Sequence, residues 1–205
     1  MTQPILLSIL IPTVVGREKQ YKHLLNRIMK SGNGFDILSG RVEYIKFCDN
    51  KEITIGEKRE RLYQMANGLY SWQIDDDDDI ADNAIELILN AIKSNPDADC
   101  ITFEEHIDID GKIEKSNHSL IYGDWEGEGG KELWDGFHYH RTPFMKSVIK
   151  TDIARNVPIP HIRFGEDHQW AQVLKPYLKT EIHLDVEIYK YIYRSTPHNE
   201  RYGIK

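Results

Sequence analysis

Short apolar runs alternate with helical spacing through the first hundred residues. Apolar runs bounded by turn signals are typical of buried strands, whereas apolar residues at i, i+3, i+4 and i+7 are typical of helices. Strands are predicted at 5–11, 42–48 and 69–74, and helices at 19–30, 54–67 and 82–94. Strands that alternate with helices indicate βαβ units and a mostly parallel sheet.

Two of these helices carry capping residues at their starts. Thr54 and Glu57 have the spacing of a capping box, in which the side chains bond to backbone N–H groups of the first turn. Asp82 precedes the third helical pattern and is predicted to be its N-cap.

The pattern changes after residue 99. Residues 100–107 and 112–121 alternate around Asp110-Gly111, which predicts a hairpin. The Gly-rich segment 123–130 is predicted to be a mobile loop near the functional site. Further strands are predicted at 143–150 and 181–193, with a short helix from Asp167 that places Trp170, Val173, Leu174 and Tyr177 at helical spacing.

The length fits one domain with a substantial core, or one domain plus an extension, and the composition is ordinary for a soluble globular protein. The chain has 205 residues, 40% of them hydrophobic, and contains no apolar run of about 18 residues, so no membrane insertion is expected. Its apolar start lacks the basic residues and cleavage site of a signal peptide. Cys48 and Cys100 fit neither a disulfide framework nor a zinc site. We expect a cytoplasmic protein with both cysteines reduced in its core.

Charge is distributed unevenly along the chain. The formal net charge of −7 combines −11 over residues 1–135 with +4 over residues 136–205. The first part can host a metal ion, whereas the last third could face an anionic partner. The negative total argues against a general nucleic-acid binder.

Five consecutive aspartates, Asp75 to Asp79, follow the strand that ends at Ile74. Adjacent carboxylates repel one another, so a fold that orders them needs a positive group, and oxygen-rich sites suit Mg²⁺, Mn²⁺ or Ca²⁺. A solvated charge run is the alternative, but the flanking strand and helix favour a site. An EF-hand is excluded because Ile80 stands where the loop needs glycine.

Several polar segments are predicted to meet at one edge of the sheet. Pro12-Thr13, Asp49-Asn50 and the aspartate run all follow strands, and ligands bind beyond the carboxyl ends of parallel strands. Lys58 and Arg59 lie in the first turns of the second helix. They form either an anion site at a helix N-terminus or a solvated basic pair.

Two further segments carry candidate chemistry. Glu166 and Asp167 stand at the start of a helix, where one carboxylate either caps the helix or acts as a general base toward a hydroxyl. His198 is a phosphate contact, a metal ligand or a solvated histidine of the polar tail.

Taken in order, these segments resemble the family 2 glycosyltransferases of the GT-A fold over most of the chain. The matching segments are Ile9-Leu10-Ile11-Pro12-Thr13 with Arg17, Asp49-Asn50, Gly56-Glu57-Lys58-Arg59, Ala66-Asn67-Gly68-Leu69-Tyr70 leading into Ile74 and the aspartate run, Gly165-Glu166-Asp167 and Tyr193-Arg194-Ser195. The resemblance implies a Rossmann-like α/β/α sandwich with a central mostly parallel sheet and a β-rich C-terminal acceptor region. Residues 1–205 would form one domain, with 1–100 binding the nucleotide sugar and 101–205 binding the acceptor.

The resemblance also implies a nucleoside-diphosphate sugar, a UDP-sugar, as donor, together with Mn²⁺ or Mg²⁺. The nucleotide sugar would contact Pro12, Thr13, Arg17, Asp49, Lys58, Arg59, Asp75 and Asp76. The Asp-x-Asp motif of the family maps onto Asp75-Asp76-Asp77, although a slip of one residue within the run stays open. Asp77 and Asp75 would then hold the metal ion, with His198 as a further ligand.

Asp167 would be the general base, and Glu166 would contact or orient the acceptor. Attack from the face opposite the leaving diphosphate implies inversion. The chain lacks the membrane helices and the Gln-x-x-Arg-Trp motif of polysaccharide synthases. It looks like the compact, stand-alone enzymes of tailed phages, some of which glycosylate hydroxylated pyrimidines in DNA; such an enzyme would work in the host cytoplasm.

Region 123–165 matches the family least and leaves the acceptor open between a modified DNA base and a saccharide. It is rich in aromatic and cationic residues that either stack on a ligand or pack internally: Trp125, Trp134, His138, Tyr139, His140 and Arg141. A nucleotidyltransferase is a rival hypothesis, but only Gly16 stands where its Gly-rich phosphate loop would be. A catalytically inert sugar-nucleotide binding module is another, although this chain keeps Asp167 and the acidic run. The oligomeric state stays open.

Overall fold

The computed structural model describes residues 4–32 and 40–195. Within these ranges ten strands form one sheet with helices packed against it. Strands β1 to β10 span Leu7–Val14, Val42–Asp49, Tyr70–Gln73, Asp79–Ile80, Cys100–Ile109, Lys112–His118, Glu126–Gly127, Tyr139–Arg141, Val148–Lys150 and Glu181–Tyr193. Helices α1 to α5 span Glu18–Ser31, Ile55–Met65, Ala84–Ser94, Thr151–Asn156 and Glu166–Leu174.

The sheet runs in the order β2-β1-β3-β9-β5-β6-β8-β7, and β10 pairs with β4 and β5. Strand β1 is parallel to both β2 and β3, and β10 is parallel to β5. Strand β9 is antiparallel to both of its neighbours, β3 and β5. The predicted α/β class with a central mostly parallel sheet is confirmed.

Strand β1 is buried on both faces because helices cover the sheet from both sides. Ile9 belongs to a core cluster with residues of α1 and α3, such as Leu24 and Ile88. Leu10 belongs to the other core cluster, with Leu62 of α2 and Trp170 of α5. Alternate side chains of one strand thus anchor two helical layers, which is why the strand reads as a continuous apolar run.

Most predicted elements are found within a few residues of their expected bounds. The Thr54 cap is confirmed, since its hydroxyl accepts a hydrogen bond of 3.2 Å from the Glu57 N–H. The hairpin is confirmed too, with positive φ angles of 51° at Asp110 and 87° at Gly111.

Four expectations were wrong. The N-cap of α3 is Asn83, because Asp82 instead pairs with Arg27 at 2.7 Å. The helical spacing predicted to include Tyr177 ends at Leu174, because Pro176 cannot continue the α-helix and Lys175–Tyr177 form a 3-10 turn. Cys48 is exposed because β2 is the edge strand.

The fourth concerns the segment predicted as one strand at 143–150, which contributes only the three residues of β9. A separate strand, β8, precedes it and pairs with β6 and β7. In the part of the chain described by the structure, no helix has the length and apolar content needed to cross a membrane.

Candidate active site

A cavity of about 660 Å³ opens beyond the carboxyl ends of β1 and β3. It brings together the end of β1, the start of the aspartate run, the first turns of α2 and the corner before α5. The predicted site residues that line it are Pro12, Thr13, Arg17, Lys58, Arg59, Asp75, Asp76, Asp77, Glu166 and Asp167. Residues far apart in sequence therefore meet at the edge of the sheet where they were expected.

The five aspartates diverge, and guanidinium groups from different elements pair with four of them. Asp75 pairs with Arg59, Asp76 and Asp77 pair with Arg17, and Asp79 pairs with Arg27. Asp78 lies near the buried ammonium of Lys146. The positive charge required by the run is thus supplied largely by the protein itself.

Asp76 is held at the floor of the cavity. Its carboxylate accepts hydrogen bonds from the Thr13 hydroxyl and from Arg17. Burial raises the pKa of Asp76 to about 6, although Arg17 and Thr13 act in the opposite direction. Thr13 and Arg17 therefore anchor the acidic segment to the loop that follows β1.

Arg59 links the aspartate run to the start of α5. Its guanidinium donates to both oxygens of Asp75, at 2.8 and 3.0 Å, and to Glu166 at 3.2 Å. Burial favours the neutral carboxyl of Asp75, but the paired Arg59 outweighs it and lowers the pKa of Asp75. Burial raises the pKa of Glu166, and Arg59 opposes that shift. This buried pairing fixes both carboxylates at the cavity wall.

Asp78 and Asp79 turn away from the cavity. Asp78 accepts hydrogen bonds from the Tyr189 hydroxyl at 2.7 Å and from the Ile192 N–H at 2.9 Å. Burial raises the pKa of Asp78 well above its usual range. The cavity is lined by the first three aspartates of the run, Asp75, Asp76 and Asp77.

Lys58 is buried and serves two segments of the rim. Its ammonium donates to the Thr13 carbonyl at 2.6 Å and forms an ion pair with Asp49. Asp49 also accepts from the Ile53 N–H at 3.2 Å. Lys58 and Asp49 thus brace the loops around the cavity, and Lys58 reaches its wall.

Asp75 and Asp77 are the carboxylates that could hold a metal ion here. The Asp77 side chain is 34% exposed and lines the cavity. Mg²⁺ is commonly bound by one or two carboxylates, with phosphates and water completing its shell. Here Arg59 already bonds both oxygens of Asp75, and Arg17 bonds one oxygen of Asp77. Within residues 4–32 and 40–195, no group of three or more His, Cys, Asp or Glu side chains is arranged as a metal centre. His198 lies outside the described residues.

Asp167 stands at the mouth of the cavity on the first turn of α5. Gly165 precedes that turn with a φ of 77°, a conformation that favours glycine and turns the chain sharply into the helix. One oxygen of Asp167 accepts from the His168 N–H at 2.8 Å. Its carboxylate also lies near the guanidinium of Arg141.

The cavity also includes residues that sequence reasoning missed. Arg163 and Phe164, whose side chain is exposed, line it beside Lys51, Tyr191 and Ile192. The segment 158–165 has no periodic pattern, so no sequence signal placed it over the site. The aromatic Phe164 next to the basic Arg163 is the one feature that could have pointed to a nucleotide.

The fold is similar to that of several solved structures of S. aureus TarS. The structure of TarS 1–349 matches with a TM-score of 0.64 and 15% identity, over 92% of this chain and 60% of that one. The complex of TarS 1–349 with UDP-GlcNAc matches with 0.58 and 14%, over 96% and 61%. The UDP complex matches with 0.58 and 14%, over 92% and 60%.

The chain spans about three fifths of the length of these TarS structures. This likeness confirms the expected GT-A architecture. At this level of identity, the likeness establishes the fold alone. No protein-family profile and no curated protein matches the sequence.

Proposed function

We propose that this protein is a glycosyltransferase that moves a sugar from a nucleoside-diphosphate sugar, a UDP-sugar, to an acceptor hydroxyl. The observation that carries the proposal is the 660 Å³ cavity at the strand ends, which joins paired carboxylates, basic side chains and Asp167. A ligand at this edge of an open α/β sheet is expected on physical grounds. The similarity to TarS structures solved with UDP-GlcNAc and UDP supports the choice of donor.

The donor would lie along the cavity, with its nucleoside over Pro12 and Thr13. Phe164 offers an exposed ring beside these residues, and stacking on an aromatic face suits a nucleobase. Arg163 and Arg17 also line the cavity and carry positive charge. A guanidinium matches the oxygens of a diphosphate well.

Asp167 would act as the general base of an inverting transfer. The acceptor oxygen forms a bond to the anomeric carbon, and the acceptor proton passes to the Asp167 carboxylate. The bond from the anomeric carbon to the diphosphate oxygen breaks, and the nucleoside diphosphate leaves with the electron pair. Glu166 remains held by Arg59 at 3.2 Å, so it orients the corner that carries the base.

A divalent cation, Mn²⁺ or Mg²⁺, would be held by Asp77 and Asp75. When bound, such an ion neutralises charge that develops on the leaving diphosphate. Arg17 bonds one oxygen of Asp77, whereas Arg59 bonds both oxygens of Asp75, at 2.8 and 3.0 Å. Asp75 would therefore have to release a bond to Arg59 in order to hold the ion. The acceptor would be either a hydroxymethylated pyrimidine or a saccharide.

The first test is thermal unfolding with UDP, in the presence of Mn²⁺, Mg²⁺ or EDTA. UDP at a hundredfold excess over its Kd should raise the free energy of unfolding by about 2.7 kcal/mol. ADP and GDP serve as comparators for the base. If no nucleoside diphosphate raises the unfolding temperature under any of these conditions, the donor assignment is wrong.

The second test separates transfer from donor binding through Asp167→Asn. We expect sugar transfer to fall at least a hundredfold, because the amide cannot accept the proton, while the UDP-induced thermal shift is retained. Asp152→Asn, at a highly exposed carboxylate of α4, is the matched control. Transfer that survives in Asp167→Asn would remove this residue from the mechanism.

A further inference from the structure

A second cavity, of about 520 Å³, lies beside the first turn of α5. Its walls come from the segment after β6, from the turn before β8 and from β8 itself. They include Ile121, Tyr122, Asp124, Glu126, Trp134 and His140. None of these residues belongs to the donor cavity.

One wall of this second cavity is aromatic and exposed. Trp134 is 88% exposed, at a turn closed by a hydrogen bond of 3.1 Å from the Gly136 N–H to the Leu133 carbonyl. The Trp134 ring meets the His140 ring edge to face, with ring centroids 6.2 Å apart. The Tyr122 ring stacks on the His140 ring, with centroids 4.0 Å apart. Ile121, which is 79% exposed, lines the same cavity, so the exposed apolar surface is a patch of the kind that marks a binding site.

The aromatic wall is held in place from below. His140 is buried, and its Nε2 lies 2.8 Å from Asp135 while its Nδ1 lies 3.4 Å from Glu126. These contacts fix the imidazole on which Tyr122 and Trp134 rest. The rings therefore form a preorganised platform, which lowers the ordering cost of binding a ligand.

The segment that forms the platform is acidic, and Arg141 and Lys175 of neighbouring elements contact its backbone at Glu126 and Gly123. Residues 121–135 contain five acidic side chains and one basic side chain, and Lys131 is paired with Glu128 at 2.7 Å. A phosphate backbone approaching this rim would meet like charge, since nucleic-acid sites are strongly basic. Exposed carboxylates suit hydroxyl groups, because ionised carboxylates act as hydrogen-bond acceptors.

The second cavity is joined to the proposed reaction centre through α5. Asp124 accepts from Gln172 at 2.7 Å and contacts the His168 Nε2 at 3.2 Å. His168 directly follows Asp167, and its ring packs against Trp125 at 4.9 Å. A ligand on the platform would thus lie across the turn that carries the base.

We propose that the cavity formed by Tyr122, Asp124 and Trp134 is the acceptor subsite and binds a neutral saccharide. The apolar face of a sugar ring would stack on Trp134, as ligand pockets combine aromatic walls with a few polar groups. Its hydroxyls would bond to the acidic rim, and one of them would extend toward Asp167. This inference rests on the proposed glycosyltransferase function.

Isothermal calorimetry with chitotriose, cellotriose and maltotriose tests the subsite directly. The wild-type protein should bind at least one of them, and Trp134→Ala should weaken that binding at least tenfold, or about 1.4 kcal/mol. Trp134→Phe should restore most of the affinity because it keeps an aromatic face. Tyr44→Ala, at an exposed aromatic on the edge strand β2, should bind as the wild type does.

The UDP-induced thermal shift, measured on the same variants, separates this inference from the proposed function. Trp134→Ala should keep the full shift, since Trp134 lies outside the donor cavity. If UDP binds but none of the saccharides binds at millimolar concentration, or if Trp134→Ala binds them unchanged, the subsite is wrong while the donor site stands. Binding or glycosylation of a hydroxymethylcytosine oligonucleotide instead of the saccharides would also overturn it. If saccharides bind through Trp134 but no nucleoside diphosphate binds, the saccharide site stands, but its role as an acceptor subsite and the transferase assignment both fail.

Discussion

Glu105, Lys146 and His118 form a buried charged cluster beneath the acidic corner. The Lys146 ammonium lies 2.6 Å from one oxygen of Glu105, and the His118 Nε2 lies 3.1 Å from the other. Lys146 also packs over the Tyr191 ring at 3.8 Å. Burial favours the neutral form of Glu105, but Lys146 and His118 outweigh it and lower the pKa of Glu105 to about 2.

This lowered pKa predicts how stability depends on pH. The pKa of Glu105 is about 2 in the folded chain against 4.5 as its ordinary value. Its ionised form therefore stabilises the fold by about 3 kcal/mol above pH 4.5. That contribution is lost as the pH falls from about 4.5 toward 2. Glu105→Gln leaves the Lys146 ammonium buried without its ion-pair partner. The variant should therefore be less stable than the wild type by roughly 3–5 kcal/mol at pH 7.

Urea unfolding at pH 7, 5 and 3 measures both effects. The wild type should lose stability between pH 5 and 3 more steeply than Glu105→Gln, so the two curves should converge in acid. Glu86→Gln, at an exposed position of α3, should stay parallel to the wild type. Parallel curves for Glu105→Gln and the wild type would show that folding does not lower the pKa of Glu105.

Helix α2 and the segment 158–165 approach too closely for any side chain at Gly56. A Cβ there would lie 1.9 Å from the Pro160 carbonyl oxygen. The Gly56 N–H also bonds to the Ile162 carbonyl at 3.3 Å. Helix α2 thereby holds the segment that carries Arg163 and Phe164 to the donor cavity.

Gly56→Ala should therefore affect both stability and donor binding. Overpacking should lower the free energy of unfolding by about 1–3 kcal/mol, and displacement of segment 158–165 should weaken UDP binding. Gly123→Ala, where a Cβ would meet nothing within 4 Å, is the control for both measurements. Unchanged UDP affinity in a destabilised Gly56→Ala variant would mean that the segment does not contribute to the donor site.

The sequence predicts elements well where one physical rule dominates. Strand β1 and helix α3 follow from hydrophobic periodicity, and the hairpin follows from the turn preference of Asp110-Gly111. Asp82 illustrates the limit, because cap and ion-pair partner are equally reasonable for an aspartate. Only the tertiary position of Arg27 decides between them.

The candidate site shows the same division. The predicted strand ends located the carboxylates correctly at one edge of the sheet, because parallel strands end on the same side. The partners of those carboxylates were not predictable, since Arg17, Arg27 and Arg59 come from different elements and no local pattern pairs them with the aspartate run. The run reads as a metal site in sequence, whereas the fold neutralises it largely with guanidinium groups.

The two halves of the chain are interleaved in one sheet. Strand β9, from residues 148–150, lies between β3 and β5 and pairs with both. Tyr189, on β10, donates a hydrogen bond to Asp78 and packs against Trp72 of β3. The donor cavity takes residues from both halves, including Asp75 and Asp167.

This interleaving predicts that the described domain unfolds in one cooperative transition and that donor binding stabilises all of it equally. Far-ultraviolet circular dichroism and tryptophan fluorescence should report the same urea midpoint, and UDP should move both midpoints equally. A fragment of residues 1–100 should neither unfold cooperatively nor bind UDP, because β3 loses β9 as its neighbour and the Asp78 carboxyl loses Tyr189. Two separated transitions, or UDP binding by that fragment, would mean that residues 1–100 fold and bind nucleotide without strands β9 and β10.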